Sequence, residues 1–346
     1  MFLVTISMAS KTSVILTFLF LALPFSSTAC SKEDFQALVA FKETFSPNTF
    51  PTWWGASADC CSWGNITGCK DGRVTSLTFT SDVFNDVAAL DLHGTLPPSL
   101  GDLSALTSID IYLQPNLHGP IPYNWSKLKN LETVSIYSTN VSGPVPSFLS
   151  QLTSLQELHL DYCNLSGALP PSLGDLANLN KVSFTHNKLT GTIPSTLFSR
   201  LDKGILHADL NLVENQLTGA IPKSFGRVPF RYISLQDNQL SGDASFLFGK
   251  SKPSLVQVTL ARNKLSFDLT NVEYPVKNVQ YIDLGNNEIY GSINEQITQV
   301  VQEIHLDVRS NHLCGKIPRG GKFTPKDANW FADNKCLCGE PLPPCK

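Results

Sequence analysis

Glu157, His159 and Asp161 fall at alternate positions of LQELHLDYCNL (155–165), so an extended backbone carries all three on one face. A carboxylate beside an imidazole is the pairing that general acid–base catalysis uses. It is the one acid–base cluster in the sequence. No nucleophile motif, glycine-rich phosphate loop or metal-ligand spacing accompanies it. An open strip also excludes water poorly. The three residues are therefore read as polar members of a solvated face rather than catalysts, and no cofactor is expected.

Cysteines are the other reactive set. Cys30, Cys60, Cys61 and Cys69 lie early, Cys314, Cys336, Cys338 and Cys345 lie at the end, and only Cys163 lies between. Two terminal clusters of even count read as disulfides pinning the ends of something long. Zinc is the competing reading, but no His/Cys spacing matches a finger. Pairing within each cluster (Cys30–Cys60, Cys61–Cys69, Cys314–Cys336, Cys338–Cys345) is favoured, although the count alone leaves connectivity open.

Export agrees with this. Residues 1–29 contain one charge, Lys11, then SVILTFLFLALPF and the small residues SSTA, the composition of a secretory signal peptide with cleavage after Ala29. No later stretch approaches the length of a membrane span. A soluble, secreted chain is expected. Without the leader, 25 basic residues face 29 acidic ones, a mild net charge of −4 that does not suit a nucleic-acid binder.

What positions these residues is a repeat. The apolar residues Leu92, Leu117, Val141, Leu165, Leu189, Leu217, Leu240, Leu265, Ile289 and Leu313 are separated by 25, 24, 24, 24, 28, 23, 25, 24 and 24 residues. That period falls in the leucine-rich-repeat range. The phrase L-x-x-L-x-L-x-x-C/N-x-L alternates apolar and polar residues, which predicts short strands with one buried face. A single repeat cannot bury its leucines, whereas stacked repeats bury them against one another. The expected fold is thus an α/β leucine-rich-repeat solenoid. It is a right-handed superhelix of about ten coils with a concave parallel β-sheet and disulfide-bonded end caps.

Finer expectations follow from the same phrase. Asn187, Asn215, Asn238, Asn263, Asn287 and Asn311 should satisfy turn backbone groups from inside, with Cys163 and Thr139 in the same column. In L-T-G-T-I-P (189–194), Gly should allow a tight turn, Ile should open a second strand and Pro should suit its edge. Ser31 and Asp34 should form a capping box for an N-terminal helix whose apolar face carries Phe35, Leu38, Val39 and Phe45. The break in period marks an insertion at 199–208.

Strand alternation also says what lines the concave face. The triples are Ser108/Asp110/Tyr112, Thr133/Ser135/Tyr137, Glu157/His159/Asp161, Lys181/Ser183/Thr185, Asp209/Asn211/Val213, Tyr232/Ser234/Gln236, Gln257/Thr259/Ala261, Tyr281/Asp283/Gly285 and His305/Asp307/Arg309. Six acids against two bases make the strip negative, and its tyrosines have the profile of interface anchors. Glycosylation sequons occur at Asn65, Asn124, Asn140 and Asn164.

Taken together, the leader, CCSW (60–63), the L-x-G-x-I-P coils, GDASFLFGK (242–250) and NKCLCGEPLPPC (334–345) resemble plant polygalacturonase-inhibiting proteins over essentially the whole mature chain. The resemblance implies a cell-wall defence protein that is not an enzyme. It would bind secreted fungal or insect endopolygalacturonases through the concave face, limit wall digestion and favour oligogalacturonide signals. The residues expected to meet the target are Asp110, Tyr112, Ser135, Tyr137, His159, Asp161, Ser183, Thr185, Asn211, Ser234, Gln236, Thr259 and Asp283. Family members often carry Ser after the second strand leucine. Here that column reads Tyr112, Tyr137, Asp161, Thr185, Val213, Gln236, Ala261, Gly285, Arg309.

The expected organisation is a signal peptide at 1–29, an N-terminal cysteine-rich helical cap at 30–80, the solenoid at 81–318 and a C-terminal cysteine-rich cap at 319–346. The chain is expected to act as a monomer with a protein partner, and pectin or oligogalacturonide is a further candidate ligand. Two other readings stand behind inhibition. One is a soluble receptor-like module for a peptide or wall oligosaccharide, for which Lys203, Lys223, Arg227 and Arg231 offer charge to an anionic polymer. The last is ice binding on the same scaffold, which a regular Thr or Asn array would support, yet no concave column repeats either.

Overall fold

Ile109, Ile111, Val134, Ile136, Leu158 and Leu160 are fully buried, while their strand neighbours lean toward the opposite face. This period-two burial is what the L-x-L phrase requires. The computed structural model describes residues 30–346 except 48, 53, 82–88 and 250–251, so the expected leader lies outside the described residues.

The strands pair in parallel and in register. Ser135 sits between Asp110 and His159, and the same row continues through Ser183, Asn211, Ser234, Thr259, Asp283 and Asp307. The row begins inside the N-terminal cap region, where Thr78 of strand Arg73–Thr80 pairs with Asp110. Stacked in this way, the coils form a leucine-rich-repeat solenoid whose core is one continuous apolar column.

A ladder of side-chain amides runs along the inside of the turn after each strand. Asn187 Nδ2 donates to the carbonyls of Leu160 (2.7 Å), Phe184 (3.2 Å) and Thr185 (3.1 Å), and its Oδ1 accepts from Leu165 N–H at 3.0 Å. Asn215, Asn238, Asn263, Asn287 and Asn311 repeat the pattern. Two further rungs extend it. Gln114 accepts from Leu92 N–H at 2.7 Å, and Asn334 accepts from Leu313 N–H at 3.0 Å. Each rung satisfies backbone groups that burial would otherwise leave unpaired.

Cys163 occupies a rung with its thiol 3.2 Å from Thr139 Oγ1. Burial pushes this thiol up from its ordinary value, so little thiolate forms near neutrality. Thiol labelling should leave the native protein unmodified and yield one adduct after denaturation without reductant. Two or more native adducts would mean that a terminal disulfide is open.

The second strand differs from the expectation. It is centred on Leu-Thr-Gly, as in Lys188–Thr192 and Gln216–Ala220, and it ends before the isoleucine. Ile193 and Ile221 are buried instead, and the proline that follows turns the chain. Pro122, Pro146, Pro170 and Pro222 each precede a short 3₁₀ turn, with φ between −61° and −70°. A proline has no N–H for the ladder, while its fixed φ suits the entry to a helical turn.

At the N-terminus, helix Lys32–Glu43 buries Ala37, Leu38 and Phe41. Ser31 Oγ accepts from Asp34 N–H at 3.1 Å, which is half of a capping box. Asp34 does not close the other half. Its buried carboxylate meets Arg73 with two contacts of 3.0 Å and accepts from Val74 N–H at 2.8 Å, fastening the helix to strand Arg73–Thr80. Ser31 N–H goes to Gly72 O instead. The four disulfides are Cys30–Cys60, Cys61–Cys69, Cys314–Cys336 and Cys338–Cys345, two at each end. The insertion turns outward at 199–207, leaving Leu206 exposed, and strand Ala208–Asn211 then resumes register with Lys181–Ser183.

Candidate functional site

The side chains of the concave strip differ sharply in what they have left to offer. Tyr112 is half-buried and donates its hydroxyl to Asp110 at 2.9 Å, while Ser108 donates to the same carboxylate at 2.6 Å. Burial, then the Asp110 charge and hydrogen bond, push the Tyr112 phenol up to about 12. Asp161 accepts from Ser183 Oγ at 2.6 Å and from Thr185 N–H at 2.7 Å. Ser135, Ser183, Thr185 and Thr259 are all buried, and Thr259 donates to Gln236. Asn211 accepts from Val213 N–H at 3.3 Å, and Ser234 is half-buried on the row between Asn211 and Thr259. Most of the strip is thus a self-satisfied polar floor, held by short links within strands and between neighbouring coils.

Charge is also partly consumed. Glu157 takes Lys181 at 2.5 Å and His159 Nε2 at 3.4 Å. Burial pushes the Glu157 carboxyl up, but the Lys181 hydrogen bond and charge outweigh it and hold the group below its ordinary value. Arg231 pairs with Asp209 at 3.4 Å, and Arg309 covers Asp307. Burial acts first on Asp283 and leaves it raised, despite the Gly285 N–H it accepts. Among the described residues, Asp110, Asp161 and Asp283 have no cation within ion-pair distance. The strip is therefore acidic chiefly in its first coils.

Glu157, His159 and Asp161 do share one face, but they do not assemble as a catalytic trio. Asp161 is turned to Ser183 and Thr185, and Glu157 is neutralised by Lys181. An open depression of about 370 Å³ lies further along, lined by His159, Lys181, Asp209, Asn211, Tyr232 and Gln257. Among the described residues, no group of His, Cys, Asp and Glu is arranged to hold a metal ion.

Among the described residues of the concave triples, Tyr137 and His305 stand clear, Tyr137 at 40% exposed. The Tyr137 ring leads to residues that alternation did not name. Tyr162 packs on it with centroids 5.0 Å apart, His186 stacks on Tyr162 at 4.1 Å, and Glu214 Oε2 meets His186 Nδ1 at 2.6 Å. These three directly precede the ladder rungs Cys163, Asn187 and Asn215 in successive coils and have φ of 51° to 53°. The residue before each ladder rung was the available signal, since the repeat places one left-handed residue there per coil.

The sequons divide by accessibility. Asn140 is exposed, and Asn164 and Asn124 are partly so, with Asn164 Nδ2 donating to Asn140 Oδ1 at 2.8 Å. Asn65 is fully buried and donates to Thr78 O at 3.1 Å, so the folded chain does not present this amide to a glycan.

Comparisons with known proteins agree with this architecture. Residues 31–67 match the leucine rich repeat N-terminal domain, and residues 154–176 match the leucine rich repeat. A polygalacturonase inhibitor of Pyrus communis is 43% identical over 95% of this chain and 98% of its own. Polygalacturonase inhibitor 1 of Arabidopsis thaliana is 44% identical over 95% and 96%. Among solved structures, a plant ice-binding protein superposes with a TM-score of 0.82 at 37% identity, covering 92% of this chain and 99% of that one. With two such inhibitors matched nearly end to end, and with the capped solenoid described above, the chain belongs to the polygalacturonase-inhibitor family of leucine-rich-repeat proteins.

Proposed function

We propose that this protein is a secreted, wall-associated inhibitor of endopolygalacturonases that holds its target against the concave face and catalyses nothing itself. The observation that carries the reading is identity to named inhibitors across essentially the full length of both chains. The acidic, preorganised first coils suit it, because an enzyme that cuts an anionic polymer has reason to rim its cleft with basic groups. Four disulfides fit an oxidising compartment, and no helix among the described residues is long and apolar enough to cross a membrane. Glycans on Asn124, Asn140 and Asn164 leave the concave face open. The protein acts as a monomer, and oligogalacturonide accumulates as a consequence of the enzyme it restrains.

The test is inhibition of a broad panel of secreted polygalacturonases by the unmodified chain and two variants. Asp161→Asn keeps an oxygen for Ser183 and Thr185 but removes the charge. It should slow association severalfold at low salt, with the difference fading at about 0.5 M salt as screening shortens the reach of the charge. Thr192→Ala, on an exposed position of the outer strand, should change nothing. Equal losses from both variants would refute concave docking. Failure to inhibit any member would refute the inhibitor reading and favour a recognition module.

A further inference from the structure

The row Tyr137–Tyr162–His186–Glu214 is not something the solenoid needs. Tyr162, His186 and Glu214 occupy the left-handed position that each coil passes through before its ladder rung. Their backbones are held there by the next coil, with Tyr162 N–H donating to Thr185 O at 2.8 Å and His186 N–H to Val213 O at 2.9 Å. Asn, Asp and His adopt this conformation most readily among residues with a Cβ, and bulky side chains rarely do. Elsewhere the position carries Leu113, Ser138, Asp237, Arg262, Asn286, Ser310 and Asp333. A tyrosine there costs conformational energy, and at 44% exposed it regains little through burial. Leu113 and Arg262 show that large side chains also stand there, so what singles out Tyr162 and His186 is the exposed aromatic surface they form with Tyr137.

The presented surface has a definite chemistry. Two tyrosine rings stand exposed side by side and His186 backs the second. Asp161, the residue before Tyr162, has no cationic partner among the described residues, and Glu214 closes the far end with an exposed carboxylate. Aromatic faces bordered by carboxylates attract a cation, and a planar guanidinium can stack on the ring while its N–H groups reach the acids. An anionic uronate chain would meet repulsion at the same place.

We infer that the Tyr137–Tyr162–His186–Glu214 row receives an arginine or lysine side chain from a protruding loop of the partner protein. This inference rests on the inhibitor reading and takes the partner to be a polygalacturonase. The row lies beside the strip, so it adds a second line of contact along one flank.

The test uses the full-length protein and the panel enzyme that it binds most tightly. Tyr162→Asn, chosen because asparagine suits the left-handed backbone, should weaken binding by about tenfold or more. Tyr162→Phe retains the ring face and should stay within about threefold. Glu214→Gln should weaken binding severalfold at low salt, and the difference should shrink as salt is added. The unfolding midpoint of Tyr162→Asn should match or exceed that of the unmodified chain. If Tyr162→Asn binds as tightly as the unmodified chain while Asp161→Asn is impaired, the row is not a contact and concave docking stands. A lowered unfolding midpoint in Tyr162→Asn would instead make the row structural and overturn the inference. If no panel enzyme binds at all, the inference and the inhibitor reading fall together.

Discussion

Asn287→Asp should destabilise the solenoid strongly at neutral pH and far less near pH 3. Asn287 is buried, donates to Leu260 O at 3.1 Å, Leu284 O at 3.1 Å and Gly285 O at 3.2 Å, and accepts from Leu265 N–H at 3.0 Å. A carboxylate keeps the acceptor but turns a second oxygen toward three carbonyls, with no proton between. Burial and the carbonyl dipoles then raise the folded-state pKa above the unfolded value of about 3.9. Below that value both states are protonated and the charge penalty is absent. As pH rises through it, the unfolded chain ionises first and stability falls, until the folded pKa is passed. Loss of the hydrogen bonds alone costs about 3 kcal/mol, and the buried charge adds to it. Asn287→Ala should show the hydrogen-bond cost with no such pH dependence. Chemical denaturation at pH 3 and pH 7 separates the two. Parallel pH profiles for both variants would show that the rung is solvated and the ladder is not structural in the way described.

Tyr137→Ala should weaken inhibition by roughly thirtyfold, the equivalent of about 2 kcal/mol, with little effect on folding. The ring is exposed, packs on Tyr162 from the outside and closes no part of the core. Truncation therefore removes contact area rather than support. Tyr112→Phe, at the equivalent position one coil earlier, should change inhibition by less than about threefold. Its hydroxyl is bound to Asp110 within the same strand and its ring is already half-buried. Both variants are measured as inhibition constants against the panel enzyme that responds most strongly. If Tyr112→Phe loses as much as Tyr137→Ala, the internal Tyr112–Asp110 bond is not what sets their difference. If neither loses anything, the target docks elsewhere on the strip.

The architecture was legible because each coil is a local statement. The L-x-L alternation, the Asn two residues past the strand and the Gly of L-x-G each act within one repeat or on the next. A period near 24 then forces the stack, since no coil can bury its leucines alone. The ladder follows from spacing in the same way, whereas the cysteine count favoured pairing within each terminal cluster and left its connectivity to the structure. Even the misplaced second strand came from a local choice, whether Pro continues a strand edge or opens a turn. Its missing N–H and fixed φ settle that in favour of the turn.

What the sequence could not determine is which polar groups on the strip remain free. Alternation puts Asp110, Tyr112, Asp161, Ser183 and Thr185 on one face, but it does not say that they bind one another. Tyr112 meets Asp110 within one strand, while Ser183 Oγ and Thr185 N–H reach Asp161 from the next coil, 22 and 24 residues away, and all depend on rotamers that only stacking selects. The Tyr137–Tyr162–His186–Glu214 row has the same origin. Period two ends with the strand, and the left-handed turn that follows aims the next side chain along the flank. Sequence alone determined the coil and its repetition, because backbone geometry and apolar burial are nearest-neighbour effects. Tertiary structure decided which groups the surface keeps available, because hydrogen bonds and ion pairs between coils consume some of them and leave the rest to a partner.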